Sequence, residues 1–175
     1  RHCKFSDLPL LKENCATEFN IEGYPDRHFL EAVIKVKPHQ CTLVPDAPNQ
    51  ITSDHGWDTI AQKDFLKEII QELKSNKIRV SLFIDADAKQ IEGAANIGAD
   101  RIEYYTGPYA KHFTVHPENA IKAIRETCSV AIKNGLGINA GHDLNLENLK
   151  YLKDQLPQLD EVSIGHALIC DALYL

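Results

Sequence analysis

Two glutamates stand in runs whose other members belong inside a protein: Glu22 in Asn20-Ile21-Glu22 and Glu103 in Arg101-Ile102-Glu103. A carboxylate among β-branched neighbours is costly to desolvate, so it needs either a partner or a task. A strand-end salt bridge would be the structural explanation. General acid–base chemistry, with the carboxyl pKa lifted by burial, is the functional one, and two such glutamates favour it. His142 follows Asn139-Ala140-Gly141, where glycine lets a substrate approach the backbone, and supplies a third proton-transfer group. His166, in Gly165-His166-Ala167, repeats the arrangement more weakly; its backbone N–H could hold a phosphate while its side chain packs.

Other reactive residue types have simpler explanations. Asp85 and Asp87 in Ile-Asp-Ala-Asp suggest a metal pair, yet Asp87 reads as a helix N-cap and Asp85 alone is no site. Metal-ligand spacing of the His-Glu-x-x-His kind is absent, so no metal is expected. Cys3, Cys15, Cys41, Cys128 and Cys170 are odd in number with no Cys-x-x-Cys, and read as reduced thiols, mostly packed as small apolar residues. His28, His39, His55, His112 and His116 show no paired spacing and are expected on the surface or in loops, and Trp57 reads as packing at the start of a helical stretch. Lys63–Lys67 and Lys74–Lys77 look like solvated helix faces, and no expected strand carries a lysine for a Schiff base.

The elements that must position these groups alternate. Short β-rich runs occur at Phe19–Glu22, Cys41–Pro45, Arg79–Asp85, Arg101–Thr106, Gly137–Gly141 and Glu161–Gly165. Between them lie helical stripes: Leu30, Val33 and Ile34; Phe65, Ile69, Ile70 and Leu73; Ile121, Ile124, Cys128 and Ile132; and Leu146, Leu149 and Leu152. Asp87 with Gln90 predicts a capping box, Gly98 and Gly135 predict helix stops, and Pro117 predicts a first turn. A last helix is expected from near Ala167, and the aromatic and small residues of Thr106–Pro117 suggest a lid.

Strand-then-helix repetition with nearly continuous apolar strands implies a parallel sheet covered by helices. Glu22, Asp46, Asp85, Glu103, Asn139 with His142, and His166 all fall at the C-terminal ends of these runs. Chemistry drawn from many successive strand ends favours a closed (β/α)8 TIM barrel over a doubly wound sheet with one switch point. Six strand–helix units are visible in 175 residues. The small-residue turns after the fifth and sixth suit barrel strands 7 and 8, so the chain is expected to hold strands 3–8 as a single domain over 1–175, without strands 1–2.

A formal net charge of −6 argues against a nucleic-acid partner, and no apolar run reaches the length of a membrane span. No signal-peptide pattern opens the chain, so a cytoplasmic location is expected.

Specific strings add a resemblance. Lys37-Pro38-His39, Leu43-Val44-Pro45, Val80-Ser81-Leu82-Phe83-Ile84-Asp85-Ala86-Asp87, Thr106-Gly107-x-Tyr109, Asn139-Ala140-Gly141-His142 and Ile164-Gly165-His166-Ala167, in this order, resemble the pyridoxine 5′-phosphate synthase family over essentially the whole chain. The resemblance implies a cytosolic (β/α) barrel, assembled as a homo-octamer. Its members condense 1-deoxy-D-xylulose 5-phosphate with 3-amino-2-oxopropyl phosphate to pyridoxine 5′-phosphate, inorganic phosphate and water, without metal or organic cofactor. Glu22 then resembles the proton acceptor, Glu103 the carboxylate that stabilises the transition state, and His142 the proton donor. His2 and Thr52 are similar to residues contacting the deoxyxylulose phosphate, and Asp143, Gly165 and His166 to those holding the aminoketone phosphate. Many members have glycine where Asp143 stands, so backbone contact is expected there, or a helix cap from its carboxylate. The family's strand 1 Asn-x-Asp-His, its strand 2 histidine and arginine, and its final helix have no counterpart in this sequence. The competing readings are another phosphosugar enzyme, an aldolase or epimerase, and a non-catalytic barrel fragment that binds phosphate ligands or partner chains.

Overall fold

The computed structural model describes residues 3–46, 50 and 52–174. After a short 3-10 turn at Phe5–Asp7 and helix α1 (Leu8–Asn14), strands and helices alternate: β1 (Asn20–Gly23), α2 (Arg27–Val36), β2 (Gln40–Leu43), α3 (Lys63–Ser75), β3 (Arg79–Ile84), α4 (Ala88–Asn96) and β4 (Arg101–Tyr105). Helices α5 (Gly107–Phe113) and α6 (Pro117–Lys133) follow, then β5 (Gly137–Gly141), α7 (Leu149–Gln155), β6 (Leu159–Ser163) and α8 (His166–Tyr174). All six strands are parallel and lie in sequence order. The sheet curls until its first and last strands face one another, because Asn20 Nδ2 of β1 donates to Glu161 Oε1 of β6 at 3.3 Å. This is the expected barrel architecture, present as a curved six-stranded arc.

The strands are not continuously apolar, as expected above; they alternate. Ile21, Cys41, Leu43, Val80, Leu82, Ile84, Ile102, Tyr104, Ile138 and Ala140 face outward and join one core with the helices. The intervening residues (Glu22, Thr42, Ser81, Glu103, Asn139, Glu161 and Ser163 among them) turn to the concave side, since successive strand side chains point to opposite faces. Closing helices over the outer face satisfies the hydrophobic term, and each fully buried Leu or Ile contributes roughly 1.5–3 kcal/mol. That frees the inner face to be polar.

The helix stripes hold with local shifts of one or two residues. Leu30 and Val33 are buried, as are Ile121, Ile124 and Cys128. In α3, however, Leu66 is buried where Phe65 was expected, and Phe65 is exposed. Ile132 and Leu146 also face solvent, with Ala131 and Leu144 taking the buried positions. Asp87 caps α4 by accepting from Lys89 N and Gln90 N. Gln90 does not complete the box: its Oε1 accepts from the backbone N and hydroxyl of Thr59 instead. Gly98 and Gly135 follow α4 and α6 in the left-handed conformation, at φ +90° and +73°.

Three further expectations change. The Thr106–Pro117 segment is a docked helix rather than an open lid, with Tyr109 buried and its hydroxyl donating to Asn148 O at 2.7 Å. Only Cys41 and Cys128 are buried; Cys3 and Cys170 are exposed and Cys15 half-buried. Trp57 is a core residue as expected, 1% exposed, but lies ahead of α3, its Nε1 donating to Leu43 O at 2.8 Å.

Candidate active site

Glu103 points into the concave side of the sheet and is 1% exposed. Ser163 Oγ of β6 donates to its Oε2 at 3.2 Å, and the Thr42 hydroxyl of β2 donates as well. Burial pushes its pKa well above the carboxylate range, the charge of Glu22 adds to that, and the hydroxyl donors oppose it. The site leaves no room at position 141: a Cβ there would come within 2.1 Å of Glu103 Oε1. Gly141 is thus required by a close approach, and it places the carboxyl of β4 directly beside the turn that carries His142.

Glu22 occupies the inner face of the end strand β1 and keeps contact with solvent, which screens its neighbours. Crowding by protein atoms, then the charges of Asp46 and Glu161, still push it up to about 7. The charge of Glu22 is in turn, after burial, the next cause that raises Glu103. Asp46 lies just beyond β2, buried, and accepts from Ser53 Oγ at 2.8 Å.

Below the pair runs a polar network. Glu161 accepts from Asn20 Nδ2, from Gln40 Nε2 and from Arg101 Nη1, the last at 3.2 Å. Arg101 also donates to Asn139 Oδ1, and Arg79 Nε to Gln40 Oε1. Six strands thereby share one hydrogen-bonded layer, which fixes their inner faces relative to each other.

His142 has φ +90° and Asp143 φ +56°, both in the left-handed region that costs a non-glycine residue of the order of 1–3 kcal/mol. The conformation turns the imidazole toward Thr52, whose Oγ1 lies 2.8 Å from Nε2. The ring meets Tyr105 edge-on, with centroids 5.1 Å apart. Asp143 Oδ2 is 3.1 Å from His142 Nδ1 but is not aligned as a hydrogen bond, since that nitrogen has no partner meeting the angle. Asp143 does not cap the next helix; Asn148 stands at that position, and Asn145 Oδ1 accepts from Glu147 N and Asn148 N.

Beside His142 opens a cavity of about 650 Å³ lined by Tyr105, Asp54, Lys111, His112, Asp143 and Asn145. The expected site residues therefore sort as follows. The charge of Glu22 reaches Glu103, Glu103 lies against Gly141 ahead of His142, and Thr52 and Asp143 flank His142. Gly165 and His166 lie exposed at the start of α8, two and three residues past Ser163, which binds Glu103. His2 lies outside the described residues. Asp85 accepts from Gly56 N at 3.0 Å, and among the described residues no group of three or more His, Cys, Asp or Glu could hold a metal ion.

Sequence reasoning missed Glu161, Ser163, Thr42 and Thr106. The first three share a legible signal: each lies two residues from another inward side chain of its strand (Glu161 from Ser163, Thr42 from Gln40), so period-2 counting from a polar strand end would have found them.

A curved parallel sheet with helices outside and ionisable side chains on its inner face is the architecture of the (β/α)-barrel class. The whole chain, residues 1–175, matches the family model described as pyridoxal phosphate biosynthesis protein PdxJ. It is 55% identical over its full length to the pyridoxine 5′-phosphate synthase of Christiangramia forsetii, covering 74% of that protein. It is 57% identical to that of Cytophaga hutchinsonii over 99% of the chain and 73% of the relative. The chain belongs to the PdxJ family. Among solved structures, one described as "Native KDPGal structure" superposes with a TM-score of 0.58 at 10% identity, over 92% of this chain and 62% of that one, a likeness of fold alone.

Proposed function

We propose that the chain carries the pyridoxine 5′-phosphate synthase activity for which its relatives are named, condensing 1-deoxy-D-xylulose 5-phosphate with 3-amino-2-oxopropyl phosphate to pyridoxine 5′-phosphate, inorganic phosphate and water. The observation that carries this reading is the placing of Glu103, buried on the concave face within reach of the Glu22 charge and packed against Gly141 beside His142. Joining an aminoketone to a ketose phosphate needs imine formation, dehydration and loss of phosphate. Each step moves a proton, so several acid–base groups around one pocket are required.

Glu22, poised near neutrality, takes protons from the condensing intermediate. Burial raises the pKa of Glu103 and so disfavours its charged form in the free site. Its carboxyl faces the positive charge that develops on the substrate nitrogen, so its stabilisation is strongest in the transition state. His142 returns protons to departing hydroxyl groups. Thr52 and His2 hold the deoxyxylulose phosphate, and Asp143, Gly165 and His166 the aminoketone phosphate through backbone N–H groups. In the cavity wall Lys111 offers a cation to a phosphorylated ligand, opposed by the carboxylates of Asp54 and Asp143. The same reading includes a cytoplasmic homo-octamer; among the described residues no helix is long and apolar enough to cross a membrane.

The test is to supply both substrates to the purified chain and follow pyridoxine 5′-phosphate and inorganic phosphate together. Equimolar formation of the two supports the reading. Phosphate release without the ring product, or cleavage of the ketose phosphate alone, overturns it in favour of another phosphosugar reaction.

A further inference from the structure

The turn that carries His142 is held by a residue the proton-transfer account does not use. Thr106 follows β4 directly and is 0% exposed. Its backbone N–H donates to Gly141 O at 2.9 Å. Its hydroxyl lies 2.6 Å from the same carbonyl oxygen and 2.5 Å from His142 O. One hydroxyl proton therefore faces the carbonyls on both sides of the His142 N–Cα unit, the unit whose φ is +90°. The preceding residue, Tyr105, presents its ring to the imidazole, and Glu103, two residues earlier still, lies over Gly141.

We propose that Thr106 is a positioning residue that clamps His142 in its left-handed backbone conformation and so aims the imidazole at Thr52 and the adjoining cavity. The role is distinct from packing. A buried side chain of threonine's size could fill this space without a hydroxyl, but it could not bind the two carbonyls. Without that bond, nothing else described holds His142 O, and the peptide is free to relax toward negative φ, swinging the ring off the Tyr105 edge. The clamp also explains how β4 can place two functions at once: Glu103 by its own side chain, and His142 through the hydroxyl three residues further on.

The catalytic consequence rests on the proposed role of His142, but the positioning does not, so the test reads both. In the 13C,15N-histidine-labelled protein, the His142 ring signals are identified by their loss in His142→Asn. Thr106→Ala is expected to shift those signals and lower kcat about tenfold with KM little changed, as displaced catalytic groups do. Thr106→Ser, which keeps the hydroxyl, should restore both. Should Thr106→Ala fail to fold, Thr106→Val fills the space without the donor and is expected to give the same shifts. Signals and kcat unchanged in a folded Ala or Val variant overturn the proposal. Shifted ring signals, together with normal turnover in His142→Asn, would uphold the clamp while removing His142 from the chemistry.

Discussion

The Glu103 carboxyl occupies the space that a side chain at position 141 would need, its Oε1 standing 2.1 Å from where a Cβ on Gly141 would be. Gly141 in turn is fixed between Tyr105 and Ser163 in the sheet register, so it cannot retreat. Gly141→Ala must therefore expel Glu103 from its place between Ser163 and Thr42. The expected outcome is a folded protein, less stable by about 1–3 kcal/mol as for other overpacked sites, with turnover reduced by about a hundredfold. Urea unfolding and steady-state kinetics on the same preparation check both parts.

The raised carboxyl pKa values predict a pH dependence with a definite sign. Glu22 must be ionised to accept a proton, so kcat/KM should rise with pH through a midpoint near 7. Stability should run the other way. Because the folded-state pKa values of Glu22 and Glu103 lie above those of the unfolded chain, the unfolded state loses its protons first. Their contribution is fully present below the unfolded carboxyl range and is lost as pH rises toward about 7 for Glu22 and through the raised pKa of Glu103. Glu103→Gln should flatten this decline. Thermal melts from pH 4 to 8 measure it; a Tm that climbs steadily across that range in the wild type would contradict the raised pKa values.

The Arg101–Glu161 pair is largely enclosed, with side chains 17% and 24% exposed. Arg101→Met removes the cation and leaves Glu161 with amide donors only, and Asn139 Oδ1 without its guanidinium. A loss of about 1–3 kcal/mol is expected, the usual result of orphaning a partly buried charge. Replacing both residues, as Arg101→Met with Glu161→Leu, should recover part of it. Denaturant midpoints for the single and double variants give the comparison.

Turnover is also expected to survive exhaustive treatment with a chelator, because the proposed chemistry uses carboxyls and imidazole alone. Assays before and after dialysis against EDTA check this, and activity restored only by added divalent cation would count against the mechanism.

Much of the fold was legible because parallel strands and their helices leave separate periodic marks. The strands that carry Glu22, Glu103 and Asn139 and the helix stops at Gly98 and Gly135 needed only propensity and chain punctuation, although Glu103 and Asn139 fall mid-strand rather than at the strand ends. Glu161 was passed over because it opened an expected run; the strand begins at Leu159, with a register shift at Ile138–Asn139 that sequence does not mark. The inner-face polarity went unread for a related reason: Thr42, Ser81 and Ser163 look neutral in a string of apolar residues, and their common direction is set by the curl of the sheet. Thr106 was hidden because its task is defined by two carbonyl oxygens 35 and 36 residues away, a tertiary relation without any local pattern. Phe65 and Leu66 show the remaining limit, since two apolar neighbours on a helix cannot both face the core and packing chooses between them.

The most direct measurement compares pyridoxine 5′-phosphate formation by the wild type with that by Glu22→Gln and His142→Asn, both verified as folded. If the three groups work around one pocket, each single variant should slow product formation by about a hundredfold or more, and the double variant should be little worse than either alone. Near-normal rates in both single variants would contradict the account.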